Sequence, residues 1–281
     1  KFLSEKNKPD ATIDDQATTR EIKYLAEAYS KTKNPTYLKA AENGVRYLLQ
    51  AQNKAGGWPQ FYPDSSGYHK HITYNDHAMI NVLWVMKYVA TGQQHFEPLQ
   101  KTLGTDAQKA VEKGIDCILK TQFYQGTTLT VWCAQHDSKT LQPAKARAFE
   151  LPSLSGNESV GILRFLMAIE QPSDAAKKAI HAGVAWLDAV RIKGIKLQDI
   201  ADSNQPKGKD RVVVPDSSSV LWARFYDLKT NQAFFVGRDS QPKATLAEIE
   251  NERRTGYAYY GTWPAKLIEK EYPEWVKKWR K

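Results

Sequence analysis

The sequence predicts an all-α dominated fold: an (α/α)3 toroid with long loops and short β segments on one rim. Three observations predict it. Gly44-Val-Arg-Tyr-Leu-Leu-Gln-Ala, Gly114-Ile-Asp-Cys-Ile-Leu-Lys-Thr and Gly183-Val-Ala-Trp-Leu-Asp-Ala-Val are versions of one helical segment, starting 70 and 69 residues apart. Each copy follows another helical pattern, over 18–30, 76–90 and 158–170. Two helices per long repeat make a stacked or closed array of helix pairs. Finally, the stretches after each copy are long for connections inside a compact domain, and such loops usually carry function.

The elements follow from apolar spacing. Ile22, Leu25, Ala26 and Tyr29 stripe the first helix, and Tyr37, Ala41, Gly44, Val45 and Leu48 its partner. Met79, Val82, Leu83 and Met86, then Ala107, Val111, Gly114, Ile115 and Ile118, stripe the second pair. Ile162, Leu163, Leu166 and Met167, then Ala176, Ile180, Gly183, Val184 and Leu187, stripe the third. The aligned glycines let paired helices approach closely. Asp14-Asp15, Asn75-Asp76 and Asn157-Glu158 read as caps before the first helix of each pair. Turns are expected at 33–36, 92, 104 and Pro172. In an antiparallel pair the segments after the second helices share one rim: 54–74, 125–152 and 193–220. Beyond Leu221 the repeat stops. Short strands are expected at 212–214, 220–226 and 233–236, with a turn at Asn231, a last helix over 246–254 and an aromatic tail. The whole of 1–281 is read as a single catalytic domain, with helix pairs over about 18–191 and an irregular, β-containing part over 192–281.

The chain has 281 residues, with 40 Lys and Arg against 31 Asp and Glu, a formal charge of +9. That balance suits an anionic partner: nucleic acid, acidic polysaccharide or a membrane surface. No apolar run approaches the roughly 20 residues that span a bilayer. Lys1-Phe-Leu-Ser opens in mid-stream, so a trimmed mature chain or excised module is expected. Cys117 and Cys133 form no metal motif; a disulfide between them is left open.

Chemistry concentrates in the rim segments. Gly56-Gly-Trp-Pro-Gln-Phe-Tyr-Pro63 is too dense in aromatics for a helix stripe, and Trp58 suits either a sugar face or a plug in the barrel end. His69, His71 and His77 match no strong zinc spacing. Asp76 and Asp137 fall on corresponding rims, where two carboxylates make a plausible Ca²⁺ site. Arg147 lies ten residues after Asp137, and Arg211, Arg224, Arg238 and Arg253 are single arginines embedded among apolar residues, several of them interleaved with aromatics. The planar guanidinium binds carboxylates bidentately, so these arginines describe a groove for a polyanion with charged and apolar faces. No Gly-x-Ser-x-Gly elbow or phosphate loop occurs.

Gly-Gly-Trp-Pro-Gln-Phe-Tyr-Pro, Tyr-Asn-Asp-His-Ala-Met, Trp-Cys-Ala-Gln-His-Asp, Ala-Arg-Ala-Phe-Glu-Leu-Pro-Ser-Leu-Ser-Gly, Leu-Trp-Ala-Arg-Phe-Tyr-Asp-Leu and Gly-Tyr-Ala-Tyr-Tyr-Gly-Thr-Trp-Pro resemble pectate lyases of polysaccharide lyase family 10. The matches run from about Asp15 to Trp263. The resemblance implies an (α/α)3 toroid and calcium-assisted anti β-elimination of polygalacturonate. It implies Asp76 and Asp137 as calcium ligands with catalytic roles, and Arg211 as the base that takes the C5 proton, with Arg147 and Arg224 as competitors. Arg147, Arg224, Arg238, Arg253, Trp58 and Tyr257 are the expected substrate contacts. A secreted or periplasmic monomer acting on an acidic plant cell-wall polysaccharide is expected, with neither nucleic acid nor membrane as partner. The alternative is a non-catalytic pectin-binding module; a metal-free hydrolase needs paired acid and base carboxylates.

Overall fold

The computed structural model describes residues 11–64 and 66–279. Two compact units emerge: the chain to Thr121 together with Gln135–Gln142, and Gln122–Ala134 together with the chain from Pro143. The first holds α1 (Ala17–Thr32), α2 (Pro35–Ala51), α3 (Ala78–Thr91) and α4 (Glu97–Thr121); the second holds α5 (Glu158–Met167), α6 (Asp174–Ala189), α7 (Asn251–Gly256) and α8 (Tyr272–Trp279). The fold is helix-rich, and the three predicted pairs are α1–α2, α3–α4 and α5–α6.

Local chemistry sets the boundaries. The Asn34 side chain accepts from the Thr36 amide with Pro35 in the first turn, and Ser173 accepts from Ala176, so α2 and α6 carry side-chain caps. Gly104, expected at a turn, lies inside the 25-residue α4; the chain reverses earlier, at Gly92 with φ +71°. α3 is apolar around most of its circumference and accordingly buried, from Met79 through Val89. The aligned glycines do set the pair spacing. A Cβ on Gly44 would lie 2.5 Å from Ile22 and one on Gly183 2.9 Å from Leu163, while one on Gly114 would overlap Leu83. Each glycine thus meets the first helix of its own pair.

A second repeated device closes the helix ends. Trp58 is fully buried and its indole Nε1 donates to the Leu48 carbonyl at 2.7 Å. Trp222, in the other unit, does the same to Leu187, also at 2.7 Å. Leu48 and Leu187 each stand four residues after an aligned glycine, so one indole occupies the same place in two repeats. Trp58 is therefore a plug that satisfies a carbonyl near a helix end, which corrects its expected role as an exposed sugar platform.

The largest departure is the segment 193–220, expected as a rim loop with a short strand. It is a long antiparallel hairpin, Ile192–Ala201 against Lys209–Ala223, with a bulge between Lys193 and Ile195 and with Tyr260–Gly261 on its other edge. The expected strands 212–214 and 220–226 fall within it and the two-residue strand Phe225–Tyr226. Likewise, 246–254 is not one helix: a 3-10 turn, Leu246–Glu248, precedes α7, and the Thr245–Glu248 capping box starts the turn. Both turn and hairpin border a core of Phe225, Phe235, Leu246, Ile249 and Tyr259. Cys117 and Cys133 are buried thiols not joined in a disulfide, and burial pushes Cys117 up to about 12. No helix among the described residues is long and apolar enough to cross a membrane.

Candidate active site

In the first unit the acidic rim residues do not occupy the N-cap positions of α1 and α3. Asp15 and Gln16 both take positive φ (46° and 63°) before α1, and Asp76 and His77 repeat this (48° and 60°) before α3. Left-handed non-glycine residues cost about 1–3 kcal/mol each and persist where surrounding structure enforces them. Here the double left-handed step puts Gln16 and His77, not the aspartates, at the N-cap positions of α1 and α3. It draws Asp14, Asp15 and Asp76 together, with one ligand atom of each within 4.8 Å of the others. The Asp14 carboxyl is pushed up by partial burial and further by the charges of Asp15 and Asp76. Gln60 donates to Asp14 at 2.8 Å and Asn75 to Asp76 at 2.7 Å, which orients both carboxylates. All-oxygen donors under mutual repulsion fit a hard divalent cation.

Asp137 stands differently from the expected Asp76–Asp137 pair, because the three-carboxylate group does not include it. The strands Ile72–Thr73 and Gln135–His136 pair and bring Asp137 Oδ2 to 4.0 Å from His71 Nδ1. Its other oxygen accepts from the Lys139 and Thr140 amides and the Thr140 hydroxyl, bonds that hold the carboxyl below its usual range. Burial lowers His71, opposed by Asp137, so the imidazole is neutral near pH 7. His69 is occupied with Asp64 at 3.3 Å.

The second unit gathers the predicted arginines. Arg253, Arg147 and Arg238 lie 4.6, 5.0 and 5.3 Å from the ring centroid of buried Phe149. Guanidinium groups tolerate this crowding because the ring face is electron-rich and carboxylates interleave them. Glu150 takes Arg147 in a fork, with Nε at 2.8 Å and Nη2 at 2.5 Å, and accepts from the Tyr257 hydroxyl at 3.1 Å. Glu252 bonds both Arg253 and Arg238, which brings its carboxyl down to about 2. Behind this layer Arg224 is buried, paired with Glu158 at 2.6 Å and stacked on Tyr257 at 4.8 Å. Phe149, Glu150 and Glu158 were not singled out as site residues. A Phe beside Arg147 reads as ordinary core, and only the fold supplies its other two arginines.

Arg211 is not one of these guanidiniums. It projects from the hairpin and bonds Asp199 on the facing strand, Nε to Oδ1 at 2.7 Å and Nη2 to Oδ2 at 3.1 Å. That pairing raises its already high pKa. A guanidinium that acts as a base needs surroundings that disfavour its protonated form, and here the hairpin supplies a carboxylate that favours it.

A family model described as pectic acid lyase matches residues 1–268. A solved family 10 polysaccharide lyase from Cellvibrio cellulosa is 38% identical, with a TM-score of 0.85 over 96% of this chain and 81% of that one. A mutant of the Cellvibrio cellulosa lyase in complex with trigalacturonic acid matches at the same identity and TM-score, over 96% of this chain and 82% of that one. A comparison with curated proteins finds no match.

Proposed function

This chain belongs to the pectic acid lyase family and is a pectate lyase; we propose that it cleaves polygalacturonate by calcium-assisted anti β-elimination. The observation that carries the substrate is the triple guanidinium layer on Phe149, backed by Tyr257. Such a surface suits a polymer that offers a carboxylate and an apolar C–H face at each residue. The trigalacturonate bound by the Cellvibrio cellulosa lyase mutant supports the same substrate here.

Elimination removes the proton at C5 and expels the glycosidic oxygen at C4. That proton is weakly acidic until the neighbouring carboxylate is neutralised, because charge develops on it in the transition state. Asp76, with Asp14 and Asp15 beside it and Asp137 as the resemblance implies, would hold Ca²⁺, which supplies charge neutralisation at the substrate carboxylate when bound. Arg147, Arg238 and Arg253 bind further carboxylates of the chain and fix its register, with Tyr257 and Arg224 supporting them. Each can trade a protein carboxylate for a substrate one without losing a charged partner.

Arg211 takes the C5 proton in this proposal. Its bond to Asp199 has to be given up first, since a guanidinium held by a carboxylate is a poor base. The domain acts as a monomer outside the cell, where its substrate lies. The test is incubation with polygalacturonate at alkaline pH, with Ca²⁺ or with chelator, following the ultraviolet absorbance of the unsaturated product. Binding of polygalacturonate without absorbance under any divalent cation would establish the non-catalytic module instead.

A further inference from the structure

The turn that presents Asp137 occurs a second time. Asp137-Ser-Lys-Thr-Leu-Gln142 and Asp227-Leu-Lys-Thr-Asn-Gln232 share their Lys, Thr and Gln positions. In each, the aspartate Oδ1 accepts from the amides two and three residues on and from the Thr hydroxyl. In each, the fifth residue is left-handed (Leu141 at 61°, Asn231 at 58°), and the aspartate amide bonds the Gln carbonyl. The Asp227 copy, which the lyase chemistry does not use, lines a cavity of 480 Å³ within the second unit. Pro152, Thr230, Gln232, Phe234 and Lys243 also line it.

This cavity adjoins the arginine layer. Pro152 lies two residues from Glu150, which grips Arg147. From Phe234 the rings run to Phe225 at 6.1 Å and on to Tyr257 at 6.2 Å, both stacked. Tyr257 reaches Glu150 through its hydroxyl. Phe234 is part-buried and offers an apolar face, while Thr230 and Gln232 offer hydroxyl and amide groups. Lys243 is the cation, and it pairs with Asp239 at 3.2 Å in a surface contact of a weak and exchangeable kind. The Asp227 charge is largely absorbed by its turn, whose amide bonds keep the carboxyl low.

We infer that the Phe234–Lys243 cavity is a further subsite for one uronate residue of the polymer, beyond those held by the arginines on Phe149. Phe234 covers the sugar's C–H face, Lys243 meets its carboxylate, and Gln232 and Thr230 meet hydroxyls. The inference rests on polygalacturonate being the ligand. Two independent readouts separate its failure from failure of that reading.

The experiment compares oligogalacturonates from trimer to hexamer, by kcat/KM for unsaturated product and by calorimetric affinity with Ca²⁺ present. The wild type gains affinity at the length that reaches the cavity. In Lys243→Ala and in Phe234→Leu, which keeps an apolar side chain against Phe225, that gain shrinks by about fivefold. A length profile that is identical in wild type and both variants overturns the subsite. Absence of product from every oligomer overturns the lyase chemistry alone, because the calorimetric profile still reads the cavity.

Discussion

Arg211 and Asp199 face each other across the hairpin as register partners and are joined by a two-point ion pair. The pair fixes the sign of an experiment on the base. Asp199 raises the Arg211 pKa, so Asp199→Asn lowers it. If Arg211 takes the C5 proton, the ascending limb of kcat/KM, which reports the free enzyme's base, moves to lower pH in Asp199→Asn and activity at a fixed pH on that limb rises. Arg211→Lys abolishes turnover in the same scheme. An unmoved limb assigns the proton to Arg147 or Arg224.

The Asp14–Asp15–Asp76 group predicts a reversal of sign with cation. Without metal, Asp76→Asn removes one of the repelling charges at Asp14, so the variant is as stable as the wild type or more so. With Ca²⁺ at a hundred times its dissociation constant, the wild type gains about 2.7 kcal/mol and the variant gains little. Thermal melts with chelator and with Ca²⁺ measure both. An equal Ca²⁺ shift in the two proteins would place the cation elsewhere.

Trp58 separates scaffold from site. Trp58→Ala empties a fully buried position and should cost about 3–5 kcal/mol. Trp58→Phe keeps most packing but orphans the Leu48 carbonyl, at about 1–3 kcal/mol. Neither alters KM per folded molecule, since the indole does not reach solvent. Denaturant melts with parallel kinetics on the Phe variant check this; a raised KM returns Trp58 to the substrate groove.

Much of the scaffold was legible in the sequence and part of the site was not, for identifiable physical reasons. Six helices are read from stripes such as Met79, Val82, Leu83 and Met86 because a helix must hide one face. The glycine approach to Ile22, Leu83 and Leu163 follows from the same repeat. The hairpin hid because its residues alternate irregularly among Lys, Asp, Ser and Val and bury no full face. Asp15 and Asp76 read as caps because an acid before a helix usually is one; positive φ at two successive residues leaves no residue-type signature. Phe149 became visible as the hub of three arginines only once the chain between Arg147 and Arg253 had folded back.

Acid stability isolates the ion pair that ties the hairpin to α7. Asp210 receives Arg254 at 2.6 Å through each oxygen, together with Asn251 at 2.9 Å and the Arg211 amide at 2.7 Å. Arg254 is the largest cause of its depressed pKa. A carboxyl whose folded pKa lies below its unfolded value contributes stability that is complete above the unfolded value, about 3.9, and is lost as pH falls through the folded one. At pH 7 Asp210→Asn should therefore cost about 1–3 kcal/mol, the penalty for leaving Arg254 poorly paired. Below about pH 4 the gap to wild type should narrow steadily as the wild-type carboxylate protonates. Urea titrations at neutral pH and near pH 3 read both ends of this curve. A gap that stays constant with pH would mean that Asp210 contributes through its bond to Asn251 and local packing rather than through its charge.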